Sequence, residues 1–190
     1  MAPPQTRPLA ALSDISLARM AGRGERDASE ELVRRAAGVV GDLLRRMGAQ
    51  PALADDLTQD ALIAALKAVA TYRGEAPFAG WAMRIAARLY LKRFRKDART
   101  DVRDRPLDEE TPDLRAPDGG ARLDLDRALA KLSRPERLCV SLCHGAGLTQ
   151  DEIANSLSMP LGTVKSHVTR GLKKLRVLMI AEPAGSDADG

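Results

Sequence analysis

A ladder of basic side chains follows Trp81, the only tryptophan in a chain of 190 residues. Turned by about 100° per residue as an α-helix, the segment places these cations on one side: Arg84, Arg88, Lys92, Arg95, Lys96 and Arg99. The opposite side, which we expect to be buried, carries Met83, Ala86, Ala87, Tyr90 and Phe94. Cations along one face with an aromatic ring at its end suit a single-stranded nucleic acid, because phosphates need charge and unstacked bases need a flat surface.

Two other interpretations of this basic helix stay open. The first is an ordinary solvated face, since a charge run usually faces water. The second is a helix lying on a membrane surface. It is less favoured, because the opposite face is largely alanine and offers little bulky apolar area.

A second basic segment, residues 149–176, has the form helix, three-residue turn, helix. Its apolar residues are spaced to pack the two helices together: Ile153, Ala154, Leu157, Val164, Val168 and Leu172. Polar and basic residues of the second helix turn to other faces: Thr163, Lys165, Ser166, His167, Thr169, Arg170, Lys173, Lys174 and Arg176. This pattern predicts a helix-turn-helix whose second helix enters the major groove of duplex DNA. A solvated basic helix in an ordinary bundle is the alternative.

Other reactive residues are few. Cys139, Cys143 and His144 lie close together, but a zinc site needs further ligands and the only other histidine is His167. We expect the two cysteines to be packing residues, with no metal and no cofactor. No phosphate loop, nucleophile arrangement or metalloprotease motif is present, so we predict that the chain is not an enzyme.

Composition indicates the fold that must position these residues. Hydrophobic residues make up 44% of the chain and aromatic residues only 3%, which favours helices and excludes β-sandwiches and barrels. No apolar run reaches the roughly 20 residues of a membrane span, and residues 1–10 lack a signal-peptide pattern; we therefore expect a cytoplasmic protein without membrane insertion. The net charge of +4 makes an acidic partner worth seeking.

Helix signals divide the chain into two modules. The first, residues 14–99, should hold four helices: Asp14 capping a helix to Met20, then 27–47, 55–69 with acidic residues in its first turn, and 77–97. Residues 100–121 are rich in acidic residues and proline and predict a flexible linker. The second module, residues 122–180, should open helices at capping boxes beginning with Ser133 and Thr149. Residues 1–13 and 181–190 are expected to be flexible tails. The predicted fold is all-α.

Both modules resemble one family. The residues GLTQDEIANSLSMPLGTVKSHVTRGLKKLR resemble region 4 of sigma factors, and also the helix-turn-helix of response regulators. The residues DDLTQDALIAALKAVATYRGEAPFAGWAMRIAARLYLKRFRKD resemble sigma region 2 of the extracytoplasmic-function type, the smallest sigma-70 class. The resemblance covers about residues 14–99 and 122–178. Because both halves match in order across a linker, the chain is identified as resembling extracytoplasmic-function sigma factors.

The resemblance implies a role for each surface. Residues in the first module would dock on the clamp helices of core RNA polymerase: Asp55, Asp56, Gln59 and Asp60. Asp55 and Asp56 are equally well explained as ordinary capping residues at the N-terminus of their helix. The opened −10 promoter strand would be held by Arg73, Phe78, Trp81, Arg84, Arg88, Lys92 and Arg95. Arg88 and Lys92 stand where many members have Asn and Asp, so no −10 sequence preference carries over.

The −35 element would be read as duplex by the second module, through Thr163, Lys165, Ser166, His167, Arg170 and Lys173. His167 stands where arginine is common, so the usual bidentate guanine contact is in doubt there. The implied partners are core RNA polymerase, through its clamp helices and flap, promoter DNA and an anti-sigma factor. The alternative function is a helix-turn-helix regulator that binds duplex DNA without joining the polymerase.

Overall fold

The computed structural model describes residues 8–100 and 120–181, with side chains described for residues 8–95 and 124–180. Over these ranges the chain forms eight α-helices and no strand, which confirms the all-α prediction. The helices are α1 (Asp14–Gly22), α2 (Arg26–Arg46), α3 (Pro51–Lys67), α4 (Phe78–Thr100), α5 (Gly120–Ala130), α6 (Arg134–Val140), α7 (Gln150–Leu157) and α8 (Leu161–Ala181). The predicted acidic linker and the C-terminal tail lie almost wholly outside the described residues, as do residues 1–7. Residues 8–13 of the predicted N-terminal tail are described: they include a short 3-10 helix, Leu9–Ala11, and Arg35 binds their backbone carbonyls.

Helices α1 to α4 form the first bundle, in which α2 packs against all three others. Alanines at the contacts, such as Ala36, Ala61 and Ala86, are fully buried and let the helices approach closely. Leu32 and Leu44 fill the space between them. The bundle therefore builds a core from small and aliphatic residues, as the composition predicts.

Helices α5 to α8 form the second bundle, centred on the contact of α6 with α8. Gly171 of α8 brings the two helices together, since a Cβ placed there would stand 2.7 Å from Val140 Cγ2. The predicted capping boxes are confirmed: Ser133 with Glu136 opens α6, and Thr149 with Glu152 opens α7. A π-helical turn, Ser141–Gly145, follows α6.

The two bundles share one buried core rather than standing apart. Leu43 of α2 meets the π-helical turn so closely that a Cβ on Gly145 would lie 2.7 Å from Leu43 Cδ1. Arg46 donates from Nε to Asp126 of α5 over 2.5 Å. Beside these contacts lies an apolar cavity of about 520 Å³, with Met83 and Leu129 among the residues that line it.

Three boundary predictions need correction. Asp14 does not cap α1, because Ser13 takes that position and its hydroxyl accepts from Ser16 N–H at 3.3 Å. Helix α3 begins at Pro51, four residues before the predicted start at residue 55, since proline fits the first turn of a helix. Asp55 and Asp56 consequently lie in the second turn of α3, so they do not cap its N-terminus.

Candidate nucleic-acid interface

The basic face of α4 has the geometry that its spacing predicts. Arg84, Arg88, Lys92 and Arg95 are exposed, while Ala82, Ala86, Ala87, Tyr90 and Leu91 on the other side are buried. The Tyr90 hydroxyl donates to the Met47 carbonyl at 3.2 Å, which fixes this helix against the end of α2. Lys96 and Arg99 belong to the same helix, but their side chains lie outside those described. Four cations thus stand on one side of an anchored helix.

Three aromatic rings meet where α4 begins. The Trp81 ring centroid lies 5.5 Å from that of Tyr72 and 5.7 Å from that of Phe78. Trp81 is half-buried, so part of the indole faces solvent beside the arginines. Phe78 differs from the expectation that it contacts DNA, because its side chain is fully buried. It supports Trp81 from beneath and leaves no surface for a base.

The loop before α4 borders a cavity of about 580 Å³. Arg73, Trp81 and Arg84 line one side, and residues 144–147 line the other. The Tyr72 hydroxyl donates to the Ala76 carbonyl and closes the loop on itself. Arg73 is exposed at the loop tip. A cavity with cations and an indole on its wall has room and chemistry for an unstacked base.

Two of the four α4 cations already have partners in the second bundle. Arg84 Nη2 donates to the Gly147 carbonyl at 2.7 Å, and Arg88 Nη2 lies 3.4 Å from Glu152 Oε1. Glu152 also completes the capping box of α7, and its hydrogen bonds to Thr149 and to Arg88 lower its pKa. The sequence pattern gave no signal of these contacts, because they join residues more than 60 positions apart.

Helices α7 and α8 form the predicted helix-turn-helix. Ser158 turns the chain between them with φ of 53°, in the left-handed region, and Ile153, Ala154, Val164 and Val168 are buried. Leu157 is half-buried. Leu172 departs from the prediction: it is 39% exposed and faces the cavity between the bundles. Gly171 occupies the close contact with α6 instead.

The recognition side of α8 carries the predicted polar residues. Lys165, Ser166, Arg170 and Lys173 are exposed, while Thr163 and His167 are half-buried. Burial, together with the neighbouring Arg170 guanidinium, lowers the pKa of His167. His167 Nδ1 lies 3.4 Å from Arg170 Nη2. The imidazole therefore favours its neutral form at pH 7, in which one ring nitrogen donates, the other accepts, and the ring adds no charge.

Glu136 at the start of α6 forms ionic contacts with basic residues of α8. Lys174 Nζ donates to Glu136 Oε2 at 2.7 Å, and Arg170 Nε stands 4.0 Å from Oε1. The pKa of Glu136 is lowered overall: burial acts to raise it, but hydrogen bonds from Lys174 and Ser133 have the larger, opposite effect. Lys174 is thereby engaged within the protein, whereas Lys165 and Lys173 extend from the surface.

The acidic side of α3 faces solvent. Asp55, Asp56, Gln59 and Asp60 are all exposed, and Asp55 Oδ1 is 3.9 Å from Arg45 Nη1. Ile63, 51% exposed, continues the same side one turn after Gln59. Sequence inspection did not single out Ile63.

Cys139 and Cys143 are both free thiols. Burial raises the pKa of Cys139 to about 11, and it also raises the pKa of Cys143. His144 is exposed. Within residues 8–95 and 124–180, no three His, Cys, Asp or Glu side chains come together as metal ligands would.

Comparison with known proteins settles the family. The family model for sigma-70 region 2 matches residues 32–100, and the model for sigma-70 region 4 matches residues 128–177. The ECF RNA polymerase sigma factor SigF of Caulobacter vibrioides is 32% identical over 134 residues, covering 70% of this chain and 74% of that protein. The chain belongs to the extracytoplasmic-function sigma factors of the sigma-70 family.

Other sigma factors of this kind are also similar. SigE of Mycolicibacterium smegmatis is 35% identical over 154 residues, or 77% of this chain, and the chain spans 60% of that relative's length. The sigma factor RpoE of Bartonella quintana, solved with the anti-sigma factor NepR, has a TM-score of 0.49 and 21% identity over 83% of this chain and 99% of that one. None of the helices of this sigma factor within residues 8–100 and 120–181 is long and apolar enough to cross a membrane.

The region 2 match contains the acidic side of α3 and the basic face of α4. The region 4 match contains the helix-turn-helix. Asp14, which bonds to the start of α4, lies before both matched ranges.

Proposed function

We propose that this sigma factor joins core RNA polymerase and directs it to promoters, reading the −35 element as duplex through α8 and holding the opened −10 strand on α4. The observation that carries the proposal is the exposed row of Arg84, Arg88, Lys92 and Arg95 beside a half-exposed Trp81. The bases of a duplex are stacked on one another, whereas an unpaired base of an opened strand can stack on an aromatic ring while nearby cations bind its phosphates. The bundle supplies binding surfaces, and the polymerase supplies the chemistry.

The −35 role rests on α8. Its exposed Lys165 and Arg170 can bond phosphates or guanine edges in a major groove, and Ser166 offers a further donor. His167, kept neutral by burial and by Arg170, gives one adaptable hydrogen bond in place of an arginine fork. We therefore expect the −35 preference of this chain to depend on Arg170 and Lys165 more than on His167.

The −10 role requires the two bundles to separate at α4. Arg84 and Arg88 are engaged by Gly147 and Glu152, and an incoming phosphate would replace those oxygens. The Arg88–Glu152 pair is exposed, and such surface pairs contribute roughly 0–1 kcal/mol. Separation also exposes part of the core that the two bundles share, so contacts with the polymerase and DNA have to offset that loss of burial as well.

Docking on the polymerase would use the acidic side of α3, where Asp55, Asp56, Gln59 and Asp60 are exposed. Carboxylates pair well with arginines of a partner helix, and the exposed Ile63 adds apolar contact. A cytoplasmic location and sequestration by an anti-sigma factor are part of the proposal, because the family commonly works in this way.

Transcription from a promoter library tests this function. Purified chain and core RNA polymerase are mixed with the library, and the transcripts are sequenced. We expect transcripts that begin downstream of a shared pair of elements and that are absent without the chain. A folded chain that binds duplex DNA but starts no transcript would instead support a conventional helix-turn-helix regulator.

A further inference from the structure

Helix α4 begins without a capping residue of its own. The Pro77 carbonyl accepts from Trp81 N–H at 3.2 Å, which puts Pro77 at the cap position. Proline has no side chain that can accept from the first free N–H groups of the helix. The helix that carries Trp81 and the basic face therefore needs an acceptor from elsewhere in the chain.

Asp14 supplies that acceptor from α1. Its Oδ2 accepts from Phe78 N–H at 2.8 Å, across 64 positions of sequence. Its Oδ1 accepts from Arg35 Nη1 of α2 at 2.7 Å, so both carboxylate oxygens are engaged. A negative charge at a helix N-terminus is also favoured by the helix dipole.

Arg35 fixes Asp14 in turn. Besides Asp14, the guanidinium donates to Glu31 and to three backbone carbonyls of the segment before α1, those of Leu9, Ala10 and Leu12. The Arg35 and Asp14 side chains are each only 23% exposed. A rigid connection thus runs from α2 through Arg35 and Asp14 to the first residue of α4.

The neighbouring residue of α1 supports the loop. Gly74 adopts φ of +75°, and a Cβ placed on it would lie 2.8 Å from Ile15 Cδ1. Ile15 therefore lies under the loop while Asp14 holds the residue that ends it. Phe78, whose N–H Asp14 binds, packs its ring 5.7 Å from that of Trp81.

We propose that Asp14 is a positioning residue for promoter opening, which caps α4 from α1 and so sets where Trp81 and the loop 73–77 stand to receive the separated strand. The proposal rests on the function proposed above. Asp14 does not touch DNA in this scheme. It acts through Phe78 and Trp81, one helical turn away.

Trp81 provides a direct readout, because it is the only tryptophan. In Asp14→Ala we expect its fluorescence to become more accessible to acrylamide, with the circular dichroism of the helices retained. Asp14→Asn should lie between wild type and Asp14→Ala, since its amide oxygen still accepts from Phe78. Asp27→Ala is the matched control: Asp27 is an exposed acid in the first turn of α2.

Promoter opening provides the functional readout. Holoenzyme carrying each variant is assayed with 2-aminopurine in the −10 element of a promoter selected from the library. We expect Asp14→Ala to open on the order of tenfold less, as for a lost helix cap, with the affinity for core polymerase unchanged. Leu32→Val, a buried core variant that takes no part in the hydrogen bonds of Asp14 and Arg35, controls for lower stability and should open normally when folded.

The outcomes separate the two proposals. Unchanged Trp81 quenching and unchanged opening in Asp14→Ala would overturn the positioning role while leaving the function standing. Equal losses of opening in Asp14→Ala and Leu32→Val would also overturn it. If wild-type holoenzyme opens no promoter, the proposed function fails, and altered Trp81 quenching would still support the placement of Trp81 by Asp14.

Discussion

Individual residues around the start of α4 differ in how far packing buries them. Trp81 is half-exposed although it belongs to an aromatic cluster, and Gly74 is held at positive φ over Ile15. Phe78 is buried while the residue it supports faces outward. The loop before α4 thus has a fixed shape that the rest of the bundle maintains.

The loop predicts a specific cost at Gly74. Gly74→Ala should destabilise the fold by about 1 kcal/mol or more, because φ of +75° disfavours a side chain and the new Cβ would meet Ile15. The melting temperature in thermal denaturation measures this loss of stability. Gly38→Ala is the control: nothing lies within 4 Å of its Cβ position in α2, so stability should stay level or rise by about 1 kcal/mol. Equal melting temperatures for the two variants would contradict the assigned loop geometry.

At the scale of elements, short ionic contacts tie α2 to its neighbours. Glu31 binds both Arg34 and Arg35, and these hydrogen bonds lower its pKa to about 2. Arg35 in turn donates to backbone carbonyls of the segment before α1. The position of α1, and with it the start of α4, depends on this face of α2.

Acid should weaken this connection within a defined pH window. The folded pKa of Glu31 lies below the ordinary value of 4.5, so its contribution is complete above pH 4.5 and is lost as the pH falls toward 2. We expect the melting temperature of wild type to exceed that of Glu31→Gln at pH 6, and the difference to shrink between pH 4.5 and 2. Glu30→Gln, in an exposed pair with Arg26, should change little. A difference independent of pH would contradict the ionic role of Glu31.

At the scale of the whole molecule, contacts between the bundles partly cover the basic face of α4. Two charged pairs cross this junction, Arg46 with Asp126 and Arg88 with Glu152. Arg137 is 1% exposed there, and its Nε and Nη1 meet no hydrogen-bond partner within the described side chains. Burial lowers its pKa, as desolvation of a cation does. Desolvation of this guanidinium is one cost of the closed arrangement, which the shared core and the charged pairs offset.

Removing the charged pairs should favour separation. We expect Asp126→Asn combined with Glu152→Gln to increase the radius of gyration in X-ray scattering and to raise the affinity of the free chain for single-stranded oligonucleotides several-fold. Asp124→Asn, on the same helix but 3.9 Å from Arg127 of its own helix, is the control. If the double variant matched the control in both measurements, these pairs would not hold the bundles together.

Local signals in the sequence predicted much of this arrangement. The capping boxes at Ser133 and Thr149 and the faces of α4 follow from residues within a few positions of one another. The start of α3 was misplaced because Pro51 suits both the end of one helix and the start of the next. The bond of Asp14 to Phe78 and the pair of Glu152 with Arg88 could not be predicted, since each joins residues more than 60 positions apart and depends on how whole helices pack.

The most direct test of the central proposal compares a fully paired promoter with one already unpaired at the −10 element, using reconstituted holoenzyme. On the paired template, both Trp81→Ala and Arg170→Ala should transcribe poorly, the first from lost opening and the second from lost −35 contact. Unpairing the −10 element should restore transcription to Trp81→Ala and leave Arg170→Ala impaired. Restoration of Arg170→Ala alone, or of neither variant, would contradict the assignment of α4 to the single strand and α8 to the duplex.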